Sequence, residues 1–355
     1  MATSSEELYN CAVDRFAACL IELMPQYGRE YHGDWENKLP VQRWYKGNIH
    51  THTNAGGSRI GYPNGDPSAD SHPAIVTGWY RRHDYDFLVL TDHNHLTLLE
   101  YGAAQRRFRK PLMIPGVEVS LRILNETKAV HLGAIGVNRN PKPIEAADVV
   151  ATLQANVDEI RQAGGIAAIN HPNFTWAFDH EHISQIKGAS LLEIYNGHPR
   201  VNLYGAGGRP SCEEIWDNVL SSGLVIWGVA VDDSHHFKGE FGPGRSNPGR
   251  GWVVVKATNL DEESIVEGLR SGQFYSSTGV SLESLDSGPD GISLRIIPAG
   301  DTLYTTRFVG RGGVTLKEVF GLEAAFRVGG DEGYIRATIS SSTGAQAWTQ
   351  PIFVN

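Results

Sequence analysis

Two apolar, strand-like runs in this chain each end in histidine. The first leads into His50-Thr51-His52, and the second leads into Thr91-Asp92-His93. Residues i and i+2 of a strand point to the same side, so His50 and His52 can contact one ion. In an α/β barrel the chemistry lies where the parallel strands end. The two stretches therefore predict a metal site at the mouth of an α/β barrel.

Strand-like and helical segments alternate over most of the chain. The periodicity of apolar residues predicts strands over 43–52, 86–91, 111–119, 130–137, 166–171, 191–196, 225–231 and 252–257, and helices over 73–83, 98–109, 144–163, 211–222 and 262–271. Alternation of this kind is typical of parallel βα units. Ser4 and Glu7 form a capping-box pattern, which predicts a further helix over 4–24.

The pattern changes near residue 280. From there the predicted strands are short, alternate in polarity and are separated by turns, and no histidine follows His236. This pattern predicts an antiparallel, β-sandwich-like domain without histidine chemistry. The expected division is residues 1–42 as an N-terminal helix and connector, 43–279 as the barrel and 280–355 as the C-terminal β domain.

The composition narrows the class of protein. Hydrophobic residues make up 41% and charged residues 20% of the 355 residues, which is ordinary for a soluble globular chain. A net charge of -9 argues against a non-specific nucleic-acid binder. The three cysteines form no Cys-x-x-Cys pair, and the sequence contains neither a signal-peptide pattern nor a long apolar run. We expect a cytoplasmic protein that acts on a small molecule, with no nucleic-acid or membrane partner. A homo-oligomer is an open alternative.

Candidate metal ligands recur at successive strand ends: His50, His52, His93, Glu118, His171, Asp233 and His235. His131 differs because it begins its predicted strand. A single strand-end histidine is more often a hydrogen-bonded structural residue than a ligand, but a recurrence in phase is not expected of structural histidines. A mixture of imidazole and carboxylate ligands suits zinc, manganese or iron.

These motifs resemble those of the PHP (polymerase and histidinol phosphatase) metallohydrolases. The matching segments, in order, are His50-Thr51-His52, Thr91-Asp92-His93-Asn94, Gly116-Val117-Glu118, His131, Asn170-His171-Pro172 and Asp233-Ser234-His235. Three further segments are similar to the CehA/McbA branch of that family: 79–83, 227–236 and 347–352. The resemblance covers roughly residues 43 to 355. It implies a distorted (β/α)7 barrel that holds up to three metal ions.

The resemblance also implies a ligand set for each ion. The first ion is expected at His50, His52, Glu118 and Asp233, the second at Glu118, His131 and His171, and the third at His93 and His235. The family supplies a further ligand to the third ion from an aspartate after the histidine pair, where this chain has Gly56. Either Asp66 or Asp70 replaces that ligand, or the site holds two ions and Arg59 supplies positive charge nearby.

Such a site predicts a hydrolase, because two or three bound ions polarise a substrate oxygen and make hydroxide available near neutral pH. The family favours phosphoesters, so a small organic phosphoester is the first prediction. A carbamate or carboxylic ester is the alternative, because the narrower branch includes carbamate hydrolases. Asp233, His93 and His235 are the candidate catalytic residues, and either histidine could protonate a leaving group if no third ion is bound. A second alternative is a non-catalytic protein whose barrel binds metal and whose tail binds a partner or a glycan.

Residues near these motifs are weaker candidates. Arg245 and Arg250 lie in a Gly-rich loop and could clamp an anion, or the loop could simply be solvated. Trp176 and Phe178 could line a pocket for an aromatic group or could be packing residues. Asp92 and Asp232 adjoin the predicted ligands, and we expect them to orient imidazoles from behind. Glu193 lies at another strand end, where we expect it to orient a ligand, with a role as a ligand itself as the alternative.

Overall fold

The computed structural model describes residues 41–55, 66–99, 111–125 and 127–354. Residues 42–355 belong to one compact unit. The helix predicted for residues 4–24 and nearly all of the one predicted for 98–109 lie outside the described residues. Among the described ranges, no helix is both long enough and apolar enough to cross a membrane.

The strands are β1 (Arg43–Asn48), β2 (Phe87–Val89), β3 (Leu112–Ile114), β4 (Gly116–Ile123), β5 (Lys128–Ile135), β6 (Ile166–Ile169), β7 (Leu191–Asn196), β8 (Trp227–Val231), β9 (Trp252–Ala257), β10 (Phe274–Ser277), β11 (Leu282–Gly288), β12 (Gly291–Ile296), β13 (Tyr304–Gly310), β14 (Val314–Phe320), β15 (Glu323–Arg327), β16 (Tyr334–Ser341), β17 (Gln346–Thr349) and β18 (Ile352–Phe353). The helices are α1 (Pro73–Arg82), α2 (Val149–Gln162), α3 (His180–Ile183), α4 (Cys212–Ser221) and α5 (Glu262–Arg270). Short 3-10 turns cover Phe174–Trp176 and Arg311–Gly313.

The helices begin where polar side chains cap their free amides. The Ser211 side chain and the Glu214 side chain form a capping box at the start of α4. The carboxylate of Asp148 accepts a hydrogen bond from the amide of Ala151 at 2.8 Å, so α2 begins at Val149. The prediction placed the start of this helix at residue 144, because periodicity alone does not locate a cap.

The strands form three sheets. One has ten strands in the order β14-β13-β16-β17-β10-β9-β1-β2-β3, with β18 also paired to β16. The second has five strands in the order β4-β5-β6-β7-β8, and the third has β11-β12-β15. The fold is therefore mixed α/β, with helices α2 and α4 packed against the five-stranded sheet through buried residues such as Leu153 and Trp216.

The five-stranded sheet is not uniformly parallel, so the prediction of parallel βα units is wrong for part of it. Strand β5 is antiparallel to both β4 and β6, whereas β6, β7 and β8 are parallel. Only residues 124–127 connect β4 to β5. A link this short allows a hairpin, because a parallel pair needs a crossover of a dozen or more residues.

The C-terminal strands continue the sheet that begins with the first strands of the chain. Strand β17 pairs with β10, β10 pairs with β9, and β9 pairs with β1. The tail is antiparallel, as its alternating pattern predicted, but it shares backbone hydrogen bonds with the preceding region. The predicted domain boundaries at residues 42 and 279 stay predictions. One sheet contains strands from both sides of residue 280, such as β10 and β17.

Candidate metal centre

Four chain segments meet at one edge of the sheets. Three of them follow a strand, and the fourth is part of β4. Thr51, after β1, forms a parallel bridge with Ser234, after β8. His93, after β2, forms a parallel bridge with Glu118 of β4. These bridges place the ends of β1, β2, β4 and β8 side by side, so their polar side chains can converge.

Glu118 lies at the centre of this convergence and is almost fully buried. Its Oε1 atom lies 3.3 Å from His50 Nε2 and 3.2 Å from both His131 Nδ1 and His171 Nε2. Its Oε2 atom lies 2.7 Å from His93 Nδ1. A buried carboxylate surrounded by four imidazoles matches the ligand chemistry of zinc, manganese and iron.

His131 reaches this cluster because of the β4–β5 hairpin. In the antiparallel register His131 lies opposite Ser120, two residues beyond Glu118. The start of β5 therefore lies at the same edge as the ends of the parallel strands. The prediction that His131 begins its strand is wrong, since β5 begins at Lys128, and Glu118 likewise lies within β4 and not after it.

Asp233 forms a second centre next to Glu118. Its Oδ1 atom lies 3.3 Å from both His50 Nε2 and His52 Nε2, and those two nitrogens are 3.1 Å apart. The backbone of Asp233 is left-handed, with φ of 46°. Aspartate tolerates this conformation better than most residues, and such strain is concentrated at functional sites.

Within the described ranges, four overlapping trios of ligand atoms could each hold an ion: His50–His52–Asp233, His50–Glu118–His171, His93–Glu118–His131 and His52–His93–His235. All eight predicted ligands belong to at least one trio. The trio of His50, His52 and Asp233 falls within the set implied for the first ion. Glu118 contacts both His131 and His171, which were implied for the second.

Asp66, rather than Asp70, lies beside this cluster. Its carboxylate is 3% exposed, and Oδ1 accepts hydrogen bonds from the amide and hydroxyl of Ser68 at 2.8 and 2.6 Å. Among the described residues its Oδ2 atom has no hydrogen-bond partner, and it lies 4.0 Å from His93 Nε2. Asp70 instead accepts bonds from the amides of Phe237 and Lys238. A buried, unpartnered carboxylate oxygen is costly, and a cation at this place would satisfy it.

Burial and neighbouring charges shift the pKa values of the cluster in different directions. Burial opposes the ionisation of Glu118 and Asp233, but the surrounding histidines hold the pKa of each carboxyl group well below its ordinary value. Burial lowers the pKa of His235 to about 4. Burial and the positive charges of His235 and His93 lower the pKa of His52 well below its usual value. Burial opposes the positive charge of His50, His93 and His171, but the neighbouring carboxylates outweigh burial and raise the pKa of each of these imidazoles. Metal binding would therefore displace protons from part of the cluster.

Glu193 holds the cluster from behind, which is the first of the two roles expected of it. Its Oε1 atom lies 2.6 Å from His50 Nδ1, and its Oε2 atom accepts from the amide of His171 and from Asn196 Nδ2, both at 2.8 Å. A carboxylate at Nδ1 keeps the proton on that nitrogen, which turns the lone pair of His50 Nε2 toward Glu118 and Asp233.

Asp92 and Asp232 have a different role from the one predicted. Asp92 accepts from the amide and hydroxyl of Thr53, and Asp232 accepts from Tyr80 and from the amides of Gly249, Arg250 and Gly251. They fix the loops that carry the ligands instead of orienting the ligands.

A cavity of about 910 Å³ opens in front of the cluster. Part of its lining comes from the predicted ligands, including His93, His131 and His235. The remainder includes Phe174, His198 and Arg200, none of which the sequence analysis singled out. His198 follows β7 at the same kind of strand end as the ligands, so the strand-end rule could have identified it.

The chain is similar in structure to several solved proteins, all at low identity. A two-domain protein from Bacteroides vulgatus, described as containing a predicted PHP-like metal-dependent phosphoesterase, is 16% identical, with a TM-score of 0.45 over 84% of this chain and 90% of that one. PsfC from Pseudomonas syringae is 10% identical, with a TM-score of 0.39 over 66% and 91%. An amidohydrolase from Chromobacterium violaceum is 13% identical, with a TM-score of 0.33 over 57% and 93%. No protein-family model and no curated protein matches the chain. At these TM-scores the structural similarity supports no conclusion about function. The function has to be inferred from the geometry of the candidate metal centre.

The predicted anion-binding arginines are engaged by the protein. Arg250 donates to the carbonyls of Gly197 and Gly242, both at 2.7 Å, and so joins two loops. Arg245 donates to the carbonyl of Lys238 at 3.0 Å and to Asp70 at 3.3 Å. Arg59 lies outside the described residues.

Trp176 and Phe178 pack against other parts of the protein and do not line the cavity, which was the second of the two roles predicted for them. Phe178 is 4% exposed and belongs to the core. The ring of Trp176 lies 5.3 Å from the guanidinium carbon of Arg209. The aromatic residue that lines the cavity is Phe174, which lies closer to the Asn-His-Pro motif in the same segment.

Proposed function

We propose that this chain is a metal-dependent hydrolase of the PHP type, in the CehA/McbA branch, that cleaves small organic phosphoesters with two or three zinc, manganese or iron ions. The observation that carries the proposal is the position of Glu118. It is a buried carboxylate within 3.3 Å of four imidazoles at the edge of a large cavity. A structural role alone does not explain so many ligand atoms beside a substrate-sized space.

The proposal includes a closed barrel. The strand pairs β1–β2, β4–β5, β5–β6, β6–β7 and β7–β8, together with the two bridges Thr51–Ser234 and His93–Glu118, can be followed around a ring of seven strands. In such a ring the ligand-bearing segments all belong to one end, as in other barrel enzymes.

The residues present fit three ions better than two. The unpartnered Oδ2 of Asp66 faces His93, and the trio of His52, His93 and His235 adjoins it. In this assignment His93 and His235 act as ligands and not as proton donors. When bound, such ions lower the pKa of water and stabilise negative charge on a substrate oxygen. The chain itself positions the reacting group and excludes bulk water by burying Glu118, Asp233 and their imidazole partners.

The phosphoester assignment is supported by charge at the cavity. Arg200 is one of the residues that line it, in a chain whose net charge is -9. A guanidinium group at the cavity favours an anionic substrate, whichever group of that substrate reacts. A carbamate or carboxylic ester remains the alternative, because the same ligand set would act on a carbonyl carbon.

A side-by-side rate assay tests the proposal. The manganese-loaded and zinc-loaded proteins are given p-nitrophenyl phosphate, bis-p-nitrophenyl phosphate and a naphthyl carbamate, with a chelator-treated control. We expect hydrolysis of a phosphoester that is lost on chelation and in Glu118→Gln, and retained in the matched surface variant Glu181→Gln. Hydrolysis of the carbamate alone would move the protein to the alternative. Tight metal binding with no turnover of any ester would favour a non-catalytic protein.

A further inference from the structure

One wall of the cavity comes from the tripeptide His198-Pro199-Arg200, which follows β7. The His198 ring lies 5.4 Å from the ring of His235, so the wall begins at the metal centre. The guanidinium carbon of Arg200 lies 5.8 Å from the centroid of the Phe174 ring. Arg200 is exposed, whereas Phe174 and His198 are half-buried. The wall therefore runs from the metal centre toward the rim.

The backbone fixes which nitrogen of His198 carries the proton. The amide of Arg200 donates to His198 Nδ1 at 3.2 Å, so that nitrogen offers a lone pair. The neutral ring then carries its proton on Nε2 and is a hydrogen-bond donor there. The amide of His198 donates to the side chain of Asn196 at 2.8 Å, and the amide of Val201 donates to the carbonyl of His198 at 3.1 Å. These bonds hold the tripeptide in one conformation.

The segment that carries Phe174 is strained and tied to the same loop. His171, Thr175 and Trp176 have left-handed backbones, with φ of 21°, 56° and 52°. Non-glycine residues adopt such angles only where the surrounding structure imposes them. The side-chain amides of Asn173 and Asn202 each donate to the other residue's backbone carbonyl at 3.0 Å. This reciprocal pair fixes Phe174 relative to the loop that carries His198 and Arg200.

We infer that Phe174, His198 and Arg200 form a subsite for the part of the substrate that does not react. A flat or apolar body lies on Phe174, and an anionic group, carboxylate or phosphate, accepts hydrogen bonds from His198 Nε2 and the Arg200 guanidinium. The substrate is therefore an ester that carries a second acidic group. This inference rests on the proposed function, since it assigns the reacting group to the metal centre. Donors of this kind give charge-assisted bonds, which are stronger than neutral ones.

The test uses the metal-loaded full chain and two matched substrates. They are 4-carboxyphenyl phosphate and its neutral isostere 4-carbamoylphenyl phosphate, or the N-methylcarbamates of the same two phenols if only carbamates are hydrolysed. We expect the wild type to prefer the carboxylate by about tenfold in kcat/KM, mainly through KM, and the preference to shrink with added salt. In Arg200→Gln the kcat/KM for the carboxylate falls to that for the amide, so the preference disappears. Arg209→Gln, which loses a guanidinium stacked on Trp176, keeps the preference.

Variants of His198 separate the two donors. His198→Leu lowers the preference, and His198→Gln, which keeps an N–H at the ε position, restores part of it. An equal preference in the wild type, Arg200→Gln and Arg209→Gln, or no preference in the wild type, overturns the inference.

A binding measurement keeps the inference independent of turnover. Saturation-transfer NMR of 4-hydroxybenzoate and 4-hydroxybenzamide reports whether the wild type, and not Arg200→Gln, selects the carboxylate. If the wild type hydrolyses no ester but still selects 4-hydroxybenzoate, the proposed function fails and the subsite stands. If it hydrolyses esters without selecting the carboxylate in either assay, the subsite fails and the proposed function stands.

Discussion

The position of one carboxylate oxygen, Oδ2 of Asp66, favours a site with three metal ions over a site with two. It is buried, it has no hydrogen-bond partner in the part of the chain that the structure describes, and it lies 4.0 Å from His93 Nε2. The other oxygen of the same carboxylate is held by Ser68. The side chain is therefore oriented by the protein, and the orientation leaves one charged oxygen facing the cluster. A cation removes the cost of that arrangement.

We predict that Asp66→Asn lowers the number of tightly bound metal ions per chain by about one, because an amide oxygen is a weaker ligand than a carboxylate. Equilibrium dialysis followed by elemental analysis measures this number directly. Asp70→Asn is the matched control, since the Asp70 carboxylate is held by the amides of Phe237 and Lys238. An unchanged metal count in Asp66→Asn, or a loss of one ion only in Asp70→Asn, would contradict the assignment.

At the scale of elements, the pairing of β1 with β2 requires the backbone of β1 to lie close to a side chain of β2. Gly47 of β1 pairs with Phe87 of β2, and a Cβ atom on Gly47 would lie 2.3 Å from atoms of the Phe87 ring. The glycine is required here for space, since the Phe87 ring occupies the place of a side chain. The histidine pair follows directly after β1, so this contact also fixes the position of the metal ligands.

We predict that Gly47→Ala destabilises the protein by about 1–3 kcal/mol, because the ring of Phe87 must shift within a packed core. Urea unfolding followed by circular dichroism gives the change in the free energy of unfolding. Gly242→Ala serves as the control, because a Cβ atom there would meet nothing within 4 Å. Equal stability of the two variants would show that β1 and β2 do not pack as described.

At the scale of the whole molecule, a buried ion pair joins the tail to a helix of the preceding region. Arg336 of β16 is 1% exposed and donates to both carboxylate oxygens of Asp217 of α4 at 2.7 Å. Tyr334 donates to the same carboxylate at 2.7 Å, and Glu213 lies 3.0 Å from the guanidinium. Together with the continuous sheet, this pair makes the tail part of the structure that supports the site.

We predict that Asp217→Asn costs about 3 kcal/mol or more in the free energy of unfolding, because it leaves a buried guanidinium without its bidentate partner. Chemical denaturation monitored by fluorescence measures the change. Glu323→Gln breaks the exposed pair between Glu323 and Arg295, and we expect it to cost less than about 1 kcal/mol. Similar costs for the two variants would argue against a stabilising role of the buried pair.

The same network predicts a pH dependence. Burial raises the pKa of Glu213, but the charge of Arg336 and the hydrogen bond from Thr338 outweigh burial and hold that pKa below its ordinary value of 4.5. A carboxyl group whose pKa is lower in the folded state stabilises the fold above its unfolded pKa, and the stabilisation is lost as the pH falls through the folded value. We therefore expect wild-type stability to fall more steeply below about pH 4.5 than that of Glu213→Gln. Parallel pH profiles in chelator-treated samples would refute this.

Many residues of the candidate site could be predicted from the sequence, because most of them lie at or near the ends of predicted strands. All eight predicted ligands belong to the four trios of ligand atoms, and the predicted bounds of β7 and β9 agree with the structure. Phe174 and Arg200 were missed because loop residues give no periodic signal, whereas His198 follows β7 and could have been found by the strand-end rule. The roles of Arg245 and Arg250 stayed open, since a sequence does not show that their guanidinium groups are engaged by backbone carbonyls.

The amino-acid sequence determined which residues could bind metal, because imidazole and carboxylate chemistry and the alternation of a strand are local properties. It also determined that an antiparallel tail follows. Only the tertiary structure decided that Asp66 and not Asp70 faces His93, that β5 reverses direction to bring His131 to the cluster, and that the tail shares a sheet with the first strands. These outcomes depend on backbone pairing between segments far apart in the chain, and no local pattern encodes the register of such pairs.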